Sequence, residues 1–221
     1  MKNNSLEKLN KKIICCKKCP RLYLYIRKIA KDKTKRFNDQ KYWGRPLTGF
    51  GDPDAKLLLI GLAPAAHGGN RTGRMFTGDS SGDWLAKVLY QNGFATIPTS
   101  QDAKDDFKLI DTYITASIRC APPQNKPLKE ELKNCSHFLN DELRLLLNIK
   151  VIICLGRIAF DTLSKLLKFK QAFFHGNVFT HENYTIICSY HPSRQNTQTG
   201  RLTWNQWSFI FSSAKKIVNE I

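Results

Sequence analysis

The sequence predicts an α/β fold in which short strands and helices alternate along a single domain of 221 residues. The strand candidates are short apolar runs, several of which stop at a glycine. Most of these runs are followed by a segment whose apolar side chains recur at helical spacing. A hydrophobic content of 42% is enough to form one large core. Together these features are typical of a parallel sheet covered by helices on both faces.

Each element has its own local signal. Apolar residues recur every three or four positions after Ser81, which predicts a helix that Gly93 ends. The Glu182-Asn183 pair suits a turn between two short strands, and the second of these also suits the sheet core. The basic lead up to Arg45 has a helical pattern and is expected to pack against one edge. The elements predicted are a helical lead at 1–45, strands at 56–60, 113–118, 151–155, 178–180 and 185–189, and helices at 81–91, 129–147, 157–167 and 203–220.

The charge balance indicates a polyanionic partner. Lysine and arginine number 35 and aspartate and glutamate 18, which gives a formal net charge of +17. Nucleic acid is the most common partner of so basic a domain, and a basic surface without such a partner is the alternative. Residues 1–12 are polar and rich in lysine, and no apolar run approaches the length of a membrane span. We therefore expect a cytoplasmic protein that does not enter a membrane.

Three unusual loops are predicted to meet at one edge of the sheet. Residues 61–67, 120–125 and 191–195 each follow the end of a predicted strand, and they concentrate Pro, Gly, His and Asn. The carboxyl ends of parallel strands share one edge, and open α/β sheets bind their ligands there. The sequence therefore predicts a ligand site at this edge.

The seven cysteines need a role other than disulfide formation if the protein is cytoplasmic. Cys16 and Cys19 have the two-residue spacing that lets one turn present both thiolates to a metal centre. Cys120 and Cys135 lie beside polar or proline-rich sequence. Four cysteines from separate segments could hold zinc or an iron–sulfur cluster, and a role without metal is the alternative. The spacing alone does not choose among these.

Three motifs carry a resemblance to a known family. The first reads GLAPAAHG from Gly61, the second NRTGRMFTGD from Asn70 and the third HPSRQNT from His191. In this order, and with four cysteines at matching places, they resemble the uracil-DNA glycosylase superfamily and most closely its family five, the type-b enzymes. The resemblance covers nearly the whole chain, from Cys16 to the final helix.

The resemblance implies a three-layer α/β/α sandwich with a four-stranded parallel central sheet. It also implies that uracil, and other deaminated bases such as hypoxanthine and xanthine, are hydrolysed from double-stranded DNA to leave an abasic site. No lysine is placed as a Schiff-base nucleophile, so strand cleavage is not expected. The family further implies a structural four-iron, four-sulfide (4Fe–4S) cluster, with zinc as the alternative. We expect a monomer associated with the nucleoid. The implied cluster ligands are Cys16, Cys19, Cys120 and Cys135.

The chemistry of glycosidic cleavage suggests roles for four residues. His191 can donate a hydrogen bond to the departing carbonyl oxygen of the base. Asp79 can orient water and offset the sugar's positive charge, although an aspartate here is also a good helix cap. Asn125 can read a base edge or hold the water, and the alternative is a turn residue. Phe76 is expected to stack on the base, and the alternative is a core phenylalanine.

Other predicted contacts concern specificity and DNA binding. Ala63 stands where many members of the superfamily have an acidic residue, and Ala116 stands where sister families have a uracil-reading asparagine. Both substitutions are typical of family five and argue against strict specificity for uracil. His67 is expected to line the pocket. Three residues of the last motif are expected to contact DNA by backbone contacts or by filling the gap left by the flipped base, namely Ser193, Arg194 and Gln195.

Two other function classes compete with this prediction. The first is a non-catalytic module, held together by iron–sulfur or zinc, that recognises damaged DNA without cutting it. The second is a mononucleotide-binding α/β enzyme that uses the Gly68-Gly69 region as a phosphate loop. No glycine-rich phosphate motif follows the first strand, which argues against the second class.

Overall fold

A computed structural model of the chain describes residues 2–220. This part contains six strands, eight α-helices and two 3-10 turns, at Lys35–Phe37 and Pro123–Asn125. The strands are β1 (Phe50–Gly51), β2 (Leu57–Gly61), β3 (Thr112–Ala116), β4 (Val151–Leu155), β5 (Val178–His181) and β6 (Tyr184–Ser189). The helices are α1 (Lys2–Ile14), α2 (Pro20–Asp32), α3 (Gly69–Thr72), α4 (Ser80–Gln91), α5 (Lys129–Leu145), α6 (Arg157–Leu167), α7 (Arg194–Gln198) and α8 (Trp204–Asn219).

The six strands form one sheet in the order β1-β3-β2-β4-β6-β5. The four central strands are parallel to one another. The two edge strands run antiparallel, because β1 pairs with β3 and β5 forms a hairpin with β6. The predicted α/β fold class is confirmed. The hairpin around Glu182-Asn183 forms as predicted, and β1 is an additional edge strand.

Both faces of the sheet are covered by helices, as expected for wholly apolar strands. Successive side chains of a strand point to opposite faces, so Leu57 and Leu59 of β2 enter one core while Leu58 and Ile60 enter the other. The first core is closed by apolar side chains of α4 and α8, and the second by those of α5 and α6. This three-layer arrangement leaves the ends of the central strands as the place where loops of different origin can meet.

The basic lead packs on helices α5 and α3. Leu9 and Ile13 of α1 pack against Phe138 of α5. The second helix of the lead, α2, buries Leu22 and Ile26 and approaches α3. The reason is that α5 has apolar side chains on the face that the sheet does not cover, and the lead buries them. No helix within residues 2–220 has both the length and the apolar character needed to cross a membrane.

Candidate active site

A pocket of about 770 Å³ opens at the carboxyl ends of the parallel strands. Its walls come from the loops after β2, β3, β4 and β6 and from the segment that leads into α4. The structure thus brings together the three loops that the sequence predicted to meet. The volume of the pocket lies in the range of ordinary ligand pockets. Eight of the predicted site residues line the pocket: Ala63, Phe76, Asp79, Asn125, His191, Ser193, Arg194 and Gln195.

His191 presents a neutral imidazole without a protein partner. It follows β6 by two residues, and Asn196 Nδ2 donates a hydrogen bond of 2.8 Å to its backbone oxygen, which holds the loop. Burial lowers the pKa of His191 to about 4, so the ring is uncharged at neutral pH. Among the residues that the structure describes, none forms a hydrogen bond with the ring nitrogens. An N–H of this ring is therefore available to a ligand in the pocket.

Phe76 lies beside His191, and the two ring centroids are 5.8 Å apart with planes inclined by 32°. Its backbone has a φ of +50°, a left-handed conformation that a bulky residue rarely adopts. A Cβ at Gly61 would lie only 2.8 Å from Cε2 of this ring, so a glycine is required at the end of β2. Such strain costs about 1–3 kcal/mol and persists where the surroundings hold the residue in place. The phenylalanine thus lines the pocket and also packs against the first core, which holds its ring in place.

Asp79 caps the N-terminus of α4 with one carboxylate oxygen. Oδ1 accepts hydrogen bonds from the backbone N–H groups of Ser81 and Gly82, at 3.0 and 2.9 Å. Burial raises the pKa of this carboxyl, and the two backbone hydrogen bonds partly oppose the rise. Oδ2 lies against Gly68, where no side chain could be accommodated. The capping role considered from the sequence is thus observed, and it leaves Oδ2 without a hydrogen bond from the described residues.

Asn125 belongs to a 3-10 turn at the rim of the pocket. It follows Gln124, and both residues have a left-handed backbone, with φ of +57° and +54°. The turn is closed by a hydrogen bond of 3.1 Å from Asn125 N to Pro122 O. Asparagine tolerates this conformation better than most residues, so the expected turn role is observed. The exposed side chain remains free to contact a ligand, because no described residue hydrogen bonds to it.

Two of the predicted substrate-binding residues do not line the pocket. The loop after β2 turns His67 towards the basic lead, where its Nδ1 lies 3.0 Å from the hydroxyl of Tyr42. Burial lowers the pKa of this histidine as well. Ala116, the last residue of β3, is buried in the core between the sheet and α4 and α8. The alternation of side chains along the strand directs it there.

Sequence reasoning missed a group of residues beside His191. Tyr190 lines the pocket, and the guanidinium of Arg201 lies 4.6 Å from its ring centroid. The Tyr190 ring also stacks with His175 at 5.1 Å, and the Tyr190 backbone N–H donates to Nδ1 of this histidine at 3.1 Å. No spacing in the sequence connects His175 with His191, because strands β5 and β6 separate them. A tyrosine next to the predicted histidine was the one available signal.

Basic side chains surround the mouth of the pocket. One comes from the loop after β3, two are the first residues of α6 and α7, and the fourth follows α7. All four are exposed, so they can meet a polyanion without a desolvation cost. The four are Lys126, Arg157, Arg194 and Arg201.

A second, smaller cavity is lined by the four predicted cysteine ligands, Cys16, Cys19, Cys120 and Cys135. Burial raises the pKa of the Cys135 thiol to about 11 and also raises that of Cys120. The buried ion pair of Arg119 with Glu142, at 2.5 Å, lies next to this cavity. Within residues 2–220, no three His, Cys, Asp or Glu side chains are close enough to hold a single metal ion. The four thiols thus share one cavity without converging on one point.

The sequence of this chain matches one known protein family. Residues 48–212 match the family described as "Uracil DNA glycosylase superfamily". The matched segment runs from just before β1 into α8, so it contains the whole sheet and every loop that forms the pocket.

Individual relatives indicate the type within this superfamily. The type-5 uracil-DNA glycosylase of Thermus thermophilus is 44% identical over 209 residues, which cover 93% of this chain and 94% of the relative. The type-5 enzyme of Mycobacterium tuberculosis is also 44% identical, over 96% of this chain and 82% of the relative. The type-4 uracil-DNA glycosylase of Archaeoglobus fulgidus is 26% identical over 86% of this chain. The chain therefore belongs to the uracil-DNA glycosylase superfamily and, within it, to the type-5 group, as its motifs predicted.

Proposed function

We propose that this protein hydrolyses the N-glycosidic bond of uracil in double-stranded DNA and leaves an abasic site. The observation that carries the proposal is the set of groups facing one pocket. The pocket is lined by the neutral imidazole of His191, which has no hydrogen-bond partner among the described residues. It is also lined by the carboxylate of Asp79, bonded to the backbone through one oxygen, and by the aromatic ring of Phe76. This set supplies a hydrogen-bond donor, a negative charge and a stacking surface, which are the three things that base excision needs.

The reaction begins with a base outside the double helix. A stacked and paired base cannot reach the pocket, so the nucleotide is flipped out at a cost of a few kcal/mol, which is lowest for mismatched pairs. Phe76 then stacks on the flipped base, an interaction worth about 1–3 kcal/mol. The ring can do this because its backbone strain and its contact with Gly61 fix its position beforehand.

Cleavage produces an anionic base and a cation-like sugar, and the pocket addresses both charges. The N–H of neutral His191 donates a hydrogen bond to the base oxygen on which negative charge develops. Oδ2 of Asp79 orients the attacking water and offsets the positive charge of the sugar, while Oδ1 stays bonded to the backbone of α4. Asn125, on the opposite rim, offers an amide to the base edge or to the water.

DNA binding follows from the net charge of +17 and from the basic mouth of the pocket. Phosphates are held by exposed lysine and arginine side chains, and the affinity consequently falls as salt rises. Ser193 contributes backbone contacts at the start of α7. Arg194 and Gln195, both exposed on this helix, enter the gap left by the flipped base.

The range of bases extends beyond uracil in this proposal. The pocket of about 770 Å³ has room for a purine, and Ala63 in its wall offers no polar group that would reject one. Hypoxanthine and xanthine are therefore the further substrates to test. Duplexes that differ only in the lesion, uracil, hypoxanthine or xanthine, would rank them by single-turnover rate. Cleavage of uracil alone would contradict the wider range.

The cysteine cavity fits a structural 4Fe–4S cluster better than zinc, which is the alternative. Its four thiols come from three segments, with two of them on one turn, and line one cavity with apolar walls that include Leu22 and Phe138. A cluster spaces its cysteine ligands more widely than a single zinc ion does, in keeping with thiols that do not converge on one point. When bound, the group would join the basic lead to β3 and α5. Iron, sulfide and zinc analysis of the purified protein, together with its visible absorbance, distinguishes the two metals.

The central experiment uses the purified protein and a duplex with one uracil. We expect abasic product that is cut only after alkali, since no strand cleavage is proposed. The Asp79→Asn variant keeps a good helix cap, so we expect normal stability and at least about a 100-fold lower rate. Tight binding of the uracil duplex without abasic product would favour the non-catalytic module instead. Cut strands before alkali would indicate lyase chemistry, for which Lys126 at the pocket mouth is the candidate.

A monomer that works on chromosomal DNA at the nucleoid is part of this proposal. A single chain provides every group invoked above, so no second copy is required. Light scattering of the free protein and of its complex with a short duplex measures the number of chains. Two chains per lesion would contradict the monomer.

A further inference from the structure

Two arginines of the second motif differ in their charge partners, although both are buried. Arg74 pairs with Asp105 at 2.6 Å and also donates to the hydroxyls of Thr77 and Ser100, each at 2.9 Å. Its positive charge is thus offset by a carboxylate. The second arginine, Arg71, has no such partner within hydrogen-bond distance among residues 2–220.

Arg71 donates only to neutral oxygens. Its three hydrogen bonds reach the backbone oxygens of His67 and Gly78, at 2.8 and 2.9 Å, and the side-chain oxygen of Gln40 at 2.7 Å. One face of the guanidinium lies 4.1 Å from the ring centroid of Phe37. Only 8% of the residue is exposed, so its charge is largely removed from water. Burying a cation without a carboxylate beside it costs free energy, and this cost falls if the charge stabilises a nearby anionic group.

The positive charge of Arg71 acts on the carboxylate of Asp79. The Gly78 oxygen that accepts from Arg71 belongs to the residue directly before Asp79. The Arg71 backbone N–H donates to Gly68 O at 2.9 Å, and Gly68 is the residue against which Oδ2 of Asp79 rests. Arg71 therefore holds both chain segments that enclose this carboxylate.

We propose that Arg71 is a positioning residue that fixes Asp79 in the pocket and supplies the positive charge that keeps its carboxylate ionised. The proposal rests on the proposed role of Asp79 in hydrolysis. Arg71 itself does not touch the substrate, since it does not line the pocket.

The charged groups around Asp79 support this assignment. Burial raises the pKa of the Asp79 carboxyl, and Asp83 on the exposed side of the same helix raises it further. The backbone N–H groups of Gly82 and Ser81 lower the pKa, and the positive charge of Arg71 lowers it further. Arg194, at the start of α7, hydrogen bonds Ser80 at 3.3 Å, but it is exposed and therefore screened by water. Arg71 is thus the buried positive charge that acts on this carboxylate.

The same arginine connects the basic lead with the pocket. Gln40 and Phe37 belong to the lead and form the outer contacts of the guanidinium. The lead thereby closes Arg71 off from solvent, and exclusion of water strengthens the action of its charge on Asp79.

The test compares pH profiles of single-turnover excision from the uracil duplex. Removing the charge in Arg71→Met should move the acid limb of the profile upwards, as expected for loss of an opposite charge that acts on the carboxylate. At high pH the rate should recover most of its loss, because the carboxylate is then ionised again. Arg71→Lys keeps a charge but loses the fork of hydrogen bonds, so its limb should stay in place while the rate falls. Arg74→Met, the matched control, should leave the limb unmoved.

The outcomes separate this inference from the proposed function. An unmoved limb in a folded Arg71→Met protein, or an equal shift in Arg74→Met, would overturn the role of Arg71. If Arg71→Met does not fold, Arg71→Gln removes the charge while retaining hydrogen-bonding capacity, and the same comparison applies. Full activity of Asp79→Asn would instead overturn the proposed function of Asp79, independently of either arginine.

Discussion

Two cavities that the described residues form, the pocket beside His191 (the base pocket) and the cysteine cavity, are shaped in different ways. The base pocket is open, rimmed by exposed basic side chains and lined by polar groups already held by the fold. Three of its residues, Phe76, Gln124 and Asn125, have a left-handed backbone. The cysteine cavity is small and largely apolar, and burial raises the pKa of thiols in its wall. The comparison teaches that the protein alone shapes the first site, whereas the group proposed for the second would add a further link between its segments.

The difference has an energetic side. Each strained residue in the base pocket costs about 1–3 kcal/mol, and the two apolar cores on either side of the sheet offset this cost. In the cysteine cavity the binding energy of the group itself would offset the cost of deprotonating thiols whose pKa burial raises. Changes in the first site should therefore affect rate before stability, and changes in the second should affect stability before rate.

The largest expected effect is on the rate, at His191. Replacement by glutamine keeps a hydrogen-bond donor of similar size but removes the rigid ring between Phe76 and the loop of Asn196. We expect a 10²- to 10³-fold lower single-turnover rate, or about 3–4 kcal/mol of lost transition-state stabilisation. The thermal midpoint should change little, since no described residue hydrogen bonds to the ring. A normal rate would show that the pocket does not act through this imidazole.

The opposite pattern is expected for Cys135. The Cys135→Ser variant should lose the visible absorbance and more than about 3 kcal/mol of stability, because a lost ligand group belongs to the strongly destabilising changes. Once folded at low temperature, it should retain a rate close to that of the wild type. Cys15→Ser is the matched control, because Cys15 is exposed and lies outside the cavity. Unchanged absorbance and stability in Cys135→Ser would remove the proposed group from this cavity.

The same contrast explains what the sequence could predict of the fold. Strand β4 at Val151–Leu155 and helix α6 at Arg157–Leu167 begin and end where predicted, because an apolar run, a glycine and a helical period coincide there. Helix α5 ends at Leu145, two residues earlier than predicted, since apolar residues continue beyond it into the loop. Strand β1, Phe50–Gly51, and the short helix α7 were not predicted, because two to five residues are too few for a period.

The candidate site was predictable where its residues stand directly after strands. The loops that carry Ala63 and His191 were expected at one edge, since parallel strands end together. His67 and Ala116 do not line the pocket, because a loop turn and the alternation of β3 decide their directions. The contact of His175 with Tyr190 arises only from tertiary packing, so no local pattern could indicate it.

A third prediction concerns the pH dependence of stability and applies to the base pocket alone. The pKa of His191 is about 4 in the folded state and near 6.5 in the unfolded chain. Between these values the unfolded chain binds a proton that the folded state does not, so stability is lost as the pH falls from 6.5 towards 4. The full effect amounts to about 3 kcal/mol. Urea denaturation at several pH values measures the free energy of unfolding. Plotted against pH over this range, it should rise less steeply for His191→Gln than for the wild type. Equal slopes would mean that the ring is not desolvated.

The smallest effect, on the salt dependence of DNA binding, decides which of the two cavities faces the DNA. Arg194 is exposed at the mouth of the base pocket, and Lys18 is exposed beside the cysteine cavity. Each phosphate contact contributes roughly 0.9 to the slope of log affinity against log salt. Arg194→Ala should reduce that slope by about this amount, and Lys18→Ala should leave it unchanged. Fluorescence anisotropy with a uracil duplex at several salt concentrations measures both slopes. An equal reduction of the slope in the two variants would mean that the cysteine cavity also contacts the DNA. The proposed cluster would then lie at the protein–DNA interface.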